Sequence, residues 1–308
     1  MDLSYEAALY LAALIAPAAL FSLKYAFRQF TSLGSDKVVV ITGASSGIGK
    51  ECAKEFFKAG CQVILCSRNV DKLEELKNEL INMNNCEDRP EPCVIPLDIS
   101  NEQSIQDAVD SMNRKFPDGI HILINNAGMS YRGNILSTSM DVHKKLMETN
   151  YFGHVSLTTR LLPSMIKLPH SCEKYKAHIL SINSIQGQIS IPHRSAYSAS
   201  KFACTAFFSC LRSEVARFGI NVCSVYPGYV KTSLSLNAMT GDGTNYGKMD
   251  ATTESGMEPC DIAKQVVSAI RNNQEEVSIA TLKLRLVVWL RYLFPSIFFW
   301  IMKKRANR

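Results

Sequence analysis

Tyr197 and Lys201 stand four residues apart in SAYSASKFA (195–203), a Y-x-x-x-K pair. Residues four apart share one face of a helix. A phenol with its ordinary pKa of about 10 is a poor base at neutral pH. A nearby ammonium favours the phenolate by charge. The pair therefore suits proton transfer to or from a carbonyl or alcohol oxygen. Ser198 and Lys201 overlap it as S-x-x-K, the pattern of a serine nucleophile with a lysine base. That reading needs partner elements such as S-D-N and K-T-G, and the chain contains neither.

A tyrosine acid needs a redox partner, and a glycine turn far upstream points to one. The β-branched run KVVVIT (37–42) ends directly in GASSGIGK. Gly43 permits a tight turn, Gly47 lets the backbone approach a pyrophosphate, and Gly49 lets helix and strand pack closely. The helix that follows offers its free N–H groups to phosphates. The same letters match G-x-S-x-G, a hydrolase elbow with Ser45 as nucleophile. An elbow needs a later acid and then a late histidine. The last histidine, His193, has no catalytic-loop surroundings.

The second apolar run ends in Cys66-Ser67-Arg68. A carboxylate there would bind a ribose 2′-hydroxyl and repel a 2′-phosphate. Arg68 instead offers that phosphate a charge-assisted partner. NADP(H) is the preferred cofactor on this reading, with NAD(H) still allowed.

These residues need a scaffold that brings strand ends together. KVVVIT, CQVILCSRN (61–69), CVIPLDIS, IHILINNAG (120–128), HILSINS (178–184) and INVCSVYPG (220–228) are six strand-like runs. Helical patterns such as ECAKEFFKAG and DKLEELKNELINM lie between them. Strands alternating with helices of this length imply βαβ units. The expected fold class is α/β, one doubly wound parallel sheet (a Rossmann fold) over residues 37–280. The polar stretches 84–92 and 169–176 read as surface insertions.

TGASSGIG (42–49), LDIS (97–100), NNAG (125–128), TNYFG (149–153), Ser184, YSASK (197–201) and PGYVKT (227–232) occur in this order. Jointly they resemble the short-chain dehydrogenase/reductase family. ETNYFG, LLPSMIK and SIQGQISIPHRSAYSASK carry a closer match to its membrane-bound members. The resemblance implies site roles. Tyr197 would be the acid/base, Lys201 its charge partner and ribose ligand, and Ser184 the residue that steadies the substrate oxygen. Asn150 would hold a water in a proton relay. Ser45, Ser46 and Ile48 would line the pyrophosphate with the three glycines. Asp98 would hold the adenine amino group, and Asn125 would hold the fourth strand beside the cofactor. Gly128, Pro227, Gly228 and Thr232 complete the cofactor set, with Thr232 on the nicotinamide side. Asn183 stands where relatives often have serine. Dimers or tetramers are usual in the family.

Composition narrows the partners. Hydrophobic residues make up 46% and charged residues 20%, and the net charge is +6. Much of the excess sits at Lys24 and Arg28 and from Lys283 to Arg308, so no basic stripe marks a nucleic-acid binder. Ten cysteines include no C-x-x-C and no zinc spacing, so no metal is expected. They read as free buried thiols in a reducing compartment.

Residues 7–23 carry no charge, and such a length is the short limit of a membrane-spanning helix. No basic region precedes them, which favours an uncleaved signal-anchor in residues 1–30 over a cleaved signal peptide. Lys24 and Arg28 place the body in the cytosol by the positive-inside rule, whereas the membrane-bound relatives imply the lumen. The location expected is the endoplasmic reticulum membrane, single-pass, with the peroxisome as the other candidate. Residues 281–308 are apolar, aromatic and basic, and read as an interfacial helix pair broken at Pro295. A core or dimer-interface helix is the other reading. The expected activity is hydride exchange between NADP(H) and a lipophilic secondary alcohol or ketone. A non-catalytic membrane scaffold and a Ser45 hydrolase are the alternatives.

Overall fold

Every residue of VVVIT is β-branched, which suits a strand and disfavours a helix. In the computed structural model this stretch forms β1 (Val38–Thr42). The structure describes residues 33–34, 36–83, 89–169 and 175–307. The segment 1–30, Cys86, Cys172 and most of both polar insertions lie outside the described residues.

Five more runs become β2 (Gln62–Ser67), β3 (Cys93–Pro96), β4 (Ile122–Asn125), β5 (Ala177–Ile182) and β6 (Ile220–Pro227). A seventh strand, β7 (Glu276–Ile279), corrects the expected six. All neighbours pair in parallel in the order β3-β2-β1-β4-β5-β6-β7. The chain steps outward from β1 in one direction and from β4 in the other. Ligands of such sheets bind beyond the carboxyl ends of the strands at this switch point.

The helices are α1 (Gly47–Lys58), α2 (Val70–Asn82), α3 (Glu102–Lys115), α4 (Met140–Met147), α5 (Gly153–Lys167), α6 (Ser195–Val215), α7 (Ala251–Glu254) and α8 (Pro259–Arg271). One sheet face packs on α1, α2 and α8 through Phe56, Leu76, Val266 and their neighbours. The other packs on α3, α5 and α6 through Val109, Leu161 and Phe208. Each such large side chain contributes about 1.5–3 kcal/mol on burial. The sheet is thus covered on both faces, which leaves strand ends and loops for chemistry.

After β7 come α9 (Leu282–Leu293) and α10 (Pro295–Ala306). The break falls at Pro295, whose fixed φ suits the first turn of a helix. Among the described residues no helix is long and apolar enough to cross a membrane. Of the eight described cysteines, Cys52, Cys61, Cys66, Cys204 and Cys223 are buried, Cys93 and Cys260 are partly exposed, and Cys210 is exposed; all are free.

Candidate active site

Each residue assigned from the sequence sits at or just past the carboxyl end of a strand, or on a helix packed over those ends. Gly43 follows β1, Arg68 follows β2, Asp98 follows β3, Gly128 follows β4, Ser184 follows β5 and Thr232 follows β6. A surface hollow lined by Asn113, Phe116, Arg160 and Lys167 lies at the opposite end of the strands and contains none of them.

The glycine turn is built by necessity. Gly43 and Gly47 have φ of +67° and +55°, a region costly for residues with a Cβ. A Cβ on Gly49 would lie 2.3 Å from the Gly43 carbonyl oxygen, so only glycine lets α1 start against its own strand. The amino ends of α2 and α3 are capped by the side chains of Asn69 and Asn101. Ser46, at the same place on α1, makes no such bond and is exposed. The first N–H groups of α1 are therefore left to a ligand, with Ser45, Ile48 and Ser46 beside them. A Cβ on Gly47 would lie 3.2 Å from Thr232 Cγ2, so the turn after β1 faces the loop after β6.

Asn126, which the sequence reading passed over, holds this turn in place. Its Nδ2 donates to the Thr42 carbonyl (2.8 Å) and reaches the Gly43 carbonyl (3.3 Å). Its N–H donates to Thr42 Oγ1 (2.9 Å), which in turn donates to the Ile124 carbonyl. Asn125 points the other way: its Nδ2 donates to Thr158 Oγ1 on α5 (3.0 Å), which ties β4 to that helix.

Arg68 is exposed at the end of β2 beside Ser67. Burial raises the carboxyl pKa of Asp98. The Ser100 hydroxyl and N–H, with the Arg68 charge, outweigh this and hold it below its ordinary value. Asp98 Oδ1 accepts from Ser100 Oγ at 2.6 Å. Pro227 ends β6. Gly228 donates to the Ile279 carbonyl (2.9 Å), so it sits where β6, β7 and α9 meet.

Tyr197 and Lys201 are both buried on α6. Lys201 Nζ lies 5.9 Å from the centre of the Tyr197 ring and donates to the Ile182 carbonyl at the end of β5 (3.2 Å). Two residues on is Ser184, in extended backbone, whose Oγ accepts from the Gln186 N–H (3.1 Å). Asn183 donates to the Lys201 carbonyl (3.1 Å) and to Thr205 Oγ1 (2.9 Å). Ser198, the serine of the S-x-x-K pattern, is buried and donates to Gln186 Oε1 (3.2 Å). Four bonds thus brace the serine strand end against the tyrosine helix.

Asn150 lies in a π-helical turn, Glu148–Phe152, between α4 and α5. Such turns carry one extra residue and often mark functional sites. Its Oδ1 accepts from the Met129 N–H (2.8 Å), and its Nδ2 donates to the Met129 carbonyl (3.0 Å) and to Ser200 Oγ (2.9 Å). Its carbonyl accepts from the Cys204 thiol (2.8 Å). A Cβ on Gly128 would meet Asn150 Oδ1 at 3.2 Å and Lys201 Nζ at 3.9 Å, so these three converge.

One turn after Asn150 is His154, buried, with Nε2 2.6 Å from the Ala127 carbonyl. Burial first and the Lys201 charge second push its pKa down to about 3. Burial and the Lys37 charge push His178 down to about 4. An unfolded histidine titrates near 6.5. The folded values lie below it, so the unfolded chain takes up protons first as the pH falls. Both histidines leave stability intact above about pH 7 and erode it as the pH drops from about 6.5 toward 4. At about pH 5 each should remove about 2 kcal/mol. Urea titrations at about pH 7.5 and 5 will show a lower midpoint at the acid value; equal midpoints would contradict this.

A charge cluster, unseen in the sequence, closes the site's far wall. Arg132, after β4, donates through Nε to Asp250 Oδ2 at 2.7 Å and through NH2 to Ser235 Oγ at 2.7 Å. Arg194, just before α6, reaches the same carboxylate oxygen at 3.3 Å. Burial first and then Arg132 lower the Arg194 pKa to about 10. The backbone adds a bridge between Tyr131 and Met239 and a bond from Ser139 N–H to the Gly241 carbonyl (2.9 Å). The segment 233–250 is thereby pinned over Tyr197, which packs with Tyr131, Val142, Leu146, Ala196 and Met239.

Residues 37–242 match the family model described as short chain dehydrogenase. The chain belongs to the short-chain dehydrogenase/reductase family. Similar members include a dehydrogenase/reductase SDR family protein 7-like from Anopheles gambiae, 47% identical over 88% of this chain and 84% of its own length. Dehydrogenase/reductase SDR family member 7B from Danio rerio is 45% identical, with 89% of this chain and 86% of that one aligned. Among solved structures, a short-chain dehydrogenase/reductase from Burkholderia phymatum in complex with NAD superposes with a TM-score of 0.72 at 22% identity, over 87% of this chain and 96% of that one. An alcohol dehydrogenase from Thermococcus sibiricus complexed with 5-hydroxy-NADP gives 0.65 at 23%, over 79% and 95%. These two share the fold. As a member of the short-chain dehydrogenase/reductase family the protein is an NAD(P)-dependent oxidoreductase, which sets the Ser45 hydrolase and the scaffold aside. The uncapped helix end, the glycine cradle and exposed Arg68 suit a dinucleotide.

Proposed function

We propose that the protein exchanges hydride between NADP(H) and a lipophilic secondary alcohol or ketone at a membrane. When bound, the nicotinamide cofactor supplies or accepts the hydride. The chain's own residues handle the proton and the pose. Tyr197 holds the proton at the substrate oxygen, Ser184 steadies that oxygen, and Lys201 sets the charge beside both. Asn150 and Gly128 fix the Lys201 side. Gly43, Ser45, Ser46, Gly47, Ile48 and Gly49 would hold the pyrophosphate, with Asp98 and Arg68 at the adenosine end.

The observation that carries the substrate class is the rim above Tyr197. Ile135 and Leu136 before α4, Met140 at its first turn, and Leu234 and Leu236 after Thr232 expose apolar side chains on two segments bonded to each other. Exposed apolar side chains gathered on two such neighbouring segments suit an apolar ligand. The uncharged stretch 7–23 supports a single-pass anchor in the endoplasmic reticulum, which would keep that rim beside lipid.

The test is a panel of carbonyl lipids assayed with NADPH and NADH side by side. Wild type should prefer NADPH. Arg68→Asp should lower kcat/KM for NADPH at least tenfold while sparing NADH, since a hydrogen bond to a charged group is worth about 1.5–3 kcal/mol. Equal use of both cofactors by wild type would overturn the NADP assignment. Turnover of small polar ketones in preference to lipids would overturn the substrate class.

A further inference from the structure

We propose that the α9–α10 hairpin is a docking surface for an anionic lipid headgroup layer, and that it forms the lipid-facing wall of the substrate site. The second clause rests on the lipophilic-substrate reading above; the first stands alone.

Charge is the first observation. Seven of the chain's 34 basic residues lie in 281–308, and none of its 28 acidic ones, so this segment alone outweighs the net charge of +6. The body without it is close to neutral. Clustered Lys and Arg at a surface are drawn to anionic lipid.

Exposure is the second. On α9, Leu282, Leu286, Trp289 and Leu293 follow each other at helical spacing and stand out to solvent, with Trp289 62% exposed. On α10, Ile297, Trp300 and Ile301 do the same, with Trp300 57% exposed. Lys304 sits over the Trp300 ring at 3.6 Å, and Arg291 over Phe299 at 4.9 Å. Aliphatic stripes edged by Trp, Tyr and cations are the make-up of a helix lying in a membrane interface. Protein-binding cores are poor in charge instead.

Attachment to the site is the third. Phe298 is buried against Ile185 and Ile189, the segment that starts one residue after Ser184. Arg305 donates to the Tyr229 hydroxyl (3.2 Å), and a Cβ on Gly228 would lie 3.0 Å from Leu284, so the hairpin also holds the loop that carries Thr232. The layer that binds the hairpin is thereby set against the two segments that flank the reacting groups.

Trp289 and Trp300 are the chain's two tryptophans, so its tryptophan emission reports on this hairpin alone. The full chain should be titrated with phosphatidylcholine vesicles and with vesicles containing phosphatidylglycerol. The expected result is a blue shift, with quenching by brominated acyl chains, on the anionic vesicles. High salt and the triple variant K303Q/K304Q/R305Q should weaken it. The segment 7–23 can hold the chain to either vesicle without moving either tryptophan into lipid. An equal response to neutral vesicles overturns the anionic assignment. No response to lipid, or a blue shift that grows with protein concentration alone alongside a rise in sedimentation, overturns the lipid surface in favour of a second copy of the chain. No turnover enters this readout, so it can fail while the oxidoreductase reading stands, and the reverse.

Discussion

Tyr197→Phe should lower turnover by about 10²–10⁴-fold, the usual worth of a positioned proton donor. Cofactor binding should be retained. The ring packs among Tyr131, Ala196 and Met239, and phenylalanine keeps that packing. Lys201 keeps its bond to the Ile182 carbonyl, and Ser184 keeps its backbone cap. What is lost is one hydroxyl at the point where the serine strand end and the lysine helix converge. Steady-state rates with the best substrate, beside a cofactor fluorescence titration, separate chemistry from binding. Unchanged turnover would move the proton donor elsewhere; loss of cofactor binding would mean that the hydroxyl serves the cofactor first.

Asp250→Asn should be the most destabilising single change in the substrate wall. The variant keeps the shape but removes the negative charge shared by Arg132 and Arg194. All three side chains are mostly buried, at 11%, 17% and 18% exposure. Removing one partner of a buried ion pair leaves uncompensated charge, here two cations facing each other, at a cost of about 3 kcal/mol. Burial raises the Asp250 carboxyl pKa, but the Arg132 contact and charge outweigh it and keep it below its ordinary value. The effect should therefore be full at neutral pH, where the wild-type group is ionised. Urea unfolding gives the stability loss, and limited proteolysis should show earlier cleavage within 233–249. An unshifted urea midpoint would mean the triad holds nothing.

The parts of this site that a sequence reader can find are those with local signatures. Gly43, Gly47 and Gly49 are legible because one turn needs all three within seven residues. Tyr197 and Lys201 are legible because helical spacing puts them on one face. Five of the six strands show as apolar, largely β-branched runs buried on both faces, and β3, with only Ile95 buried, shows as a shorter one. β7 escaped because EVSI is short, lies at the sheet edge and starts with an exposed glutamate. Asn126 escaped for another reason: its partners, Thr42 and Gly43, are more than eighty residues away. Arg132 and Asp250 are 118 apart, and no local pattern links them. The bracing role of Ser198 could not be read from its place beside Tyr197 because its partner Gln186 lies on another element.

The π-helical turn at Glu148–Phe152 sets a limit on how this chain can be shortened. Deleting one residue there would let α4 and α5 join as a regular helix. It would also rotate everything before the deletion by about 100° against everything after it. Val142 and Leu146 would swing out of the Tyr197 cluster, or Asn150 would swing away from Met129 and Ser200. The extra residue is what allows one continuous rod to serve two unlike neighbours, an apolar wall on one side and a polar clasp on the other. A chain one residue shorter could satisfy either neighbour but not both.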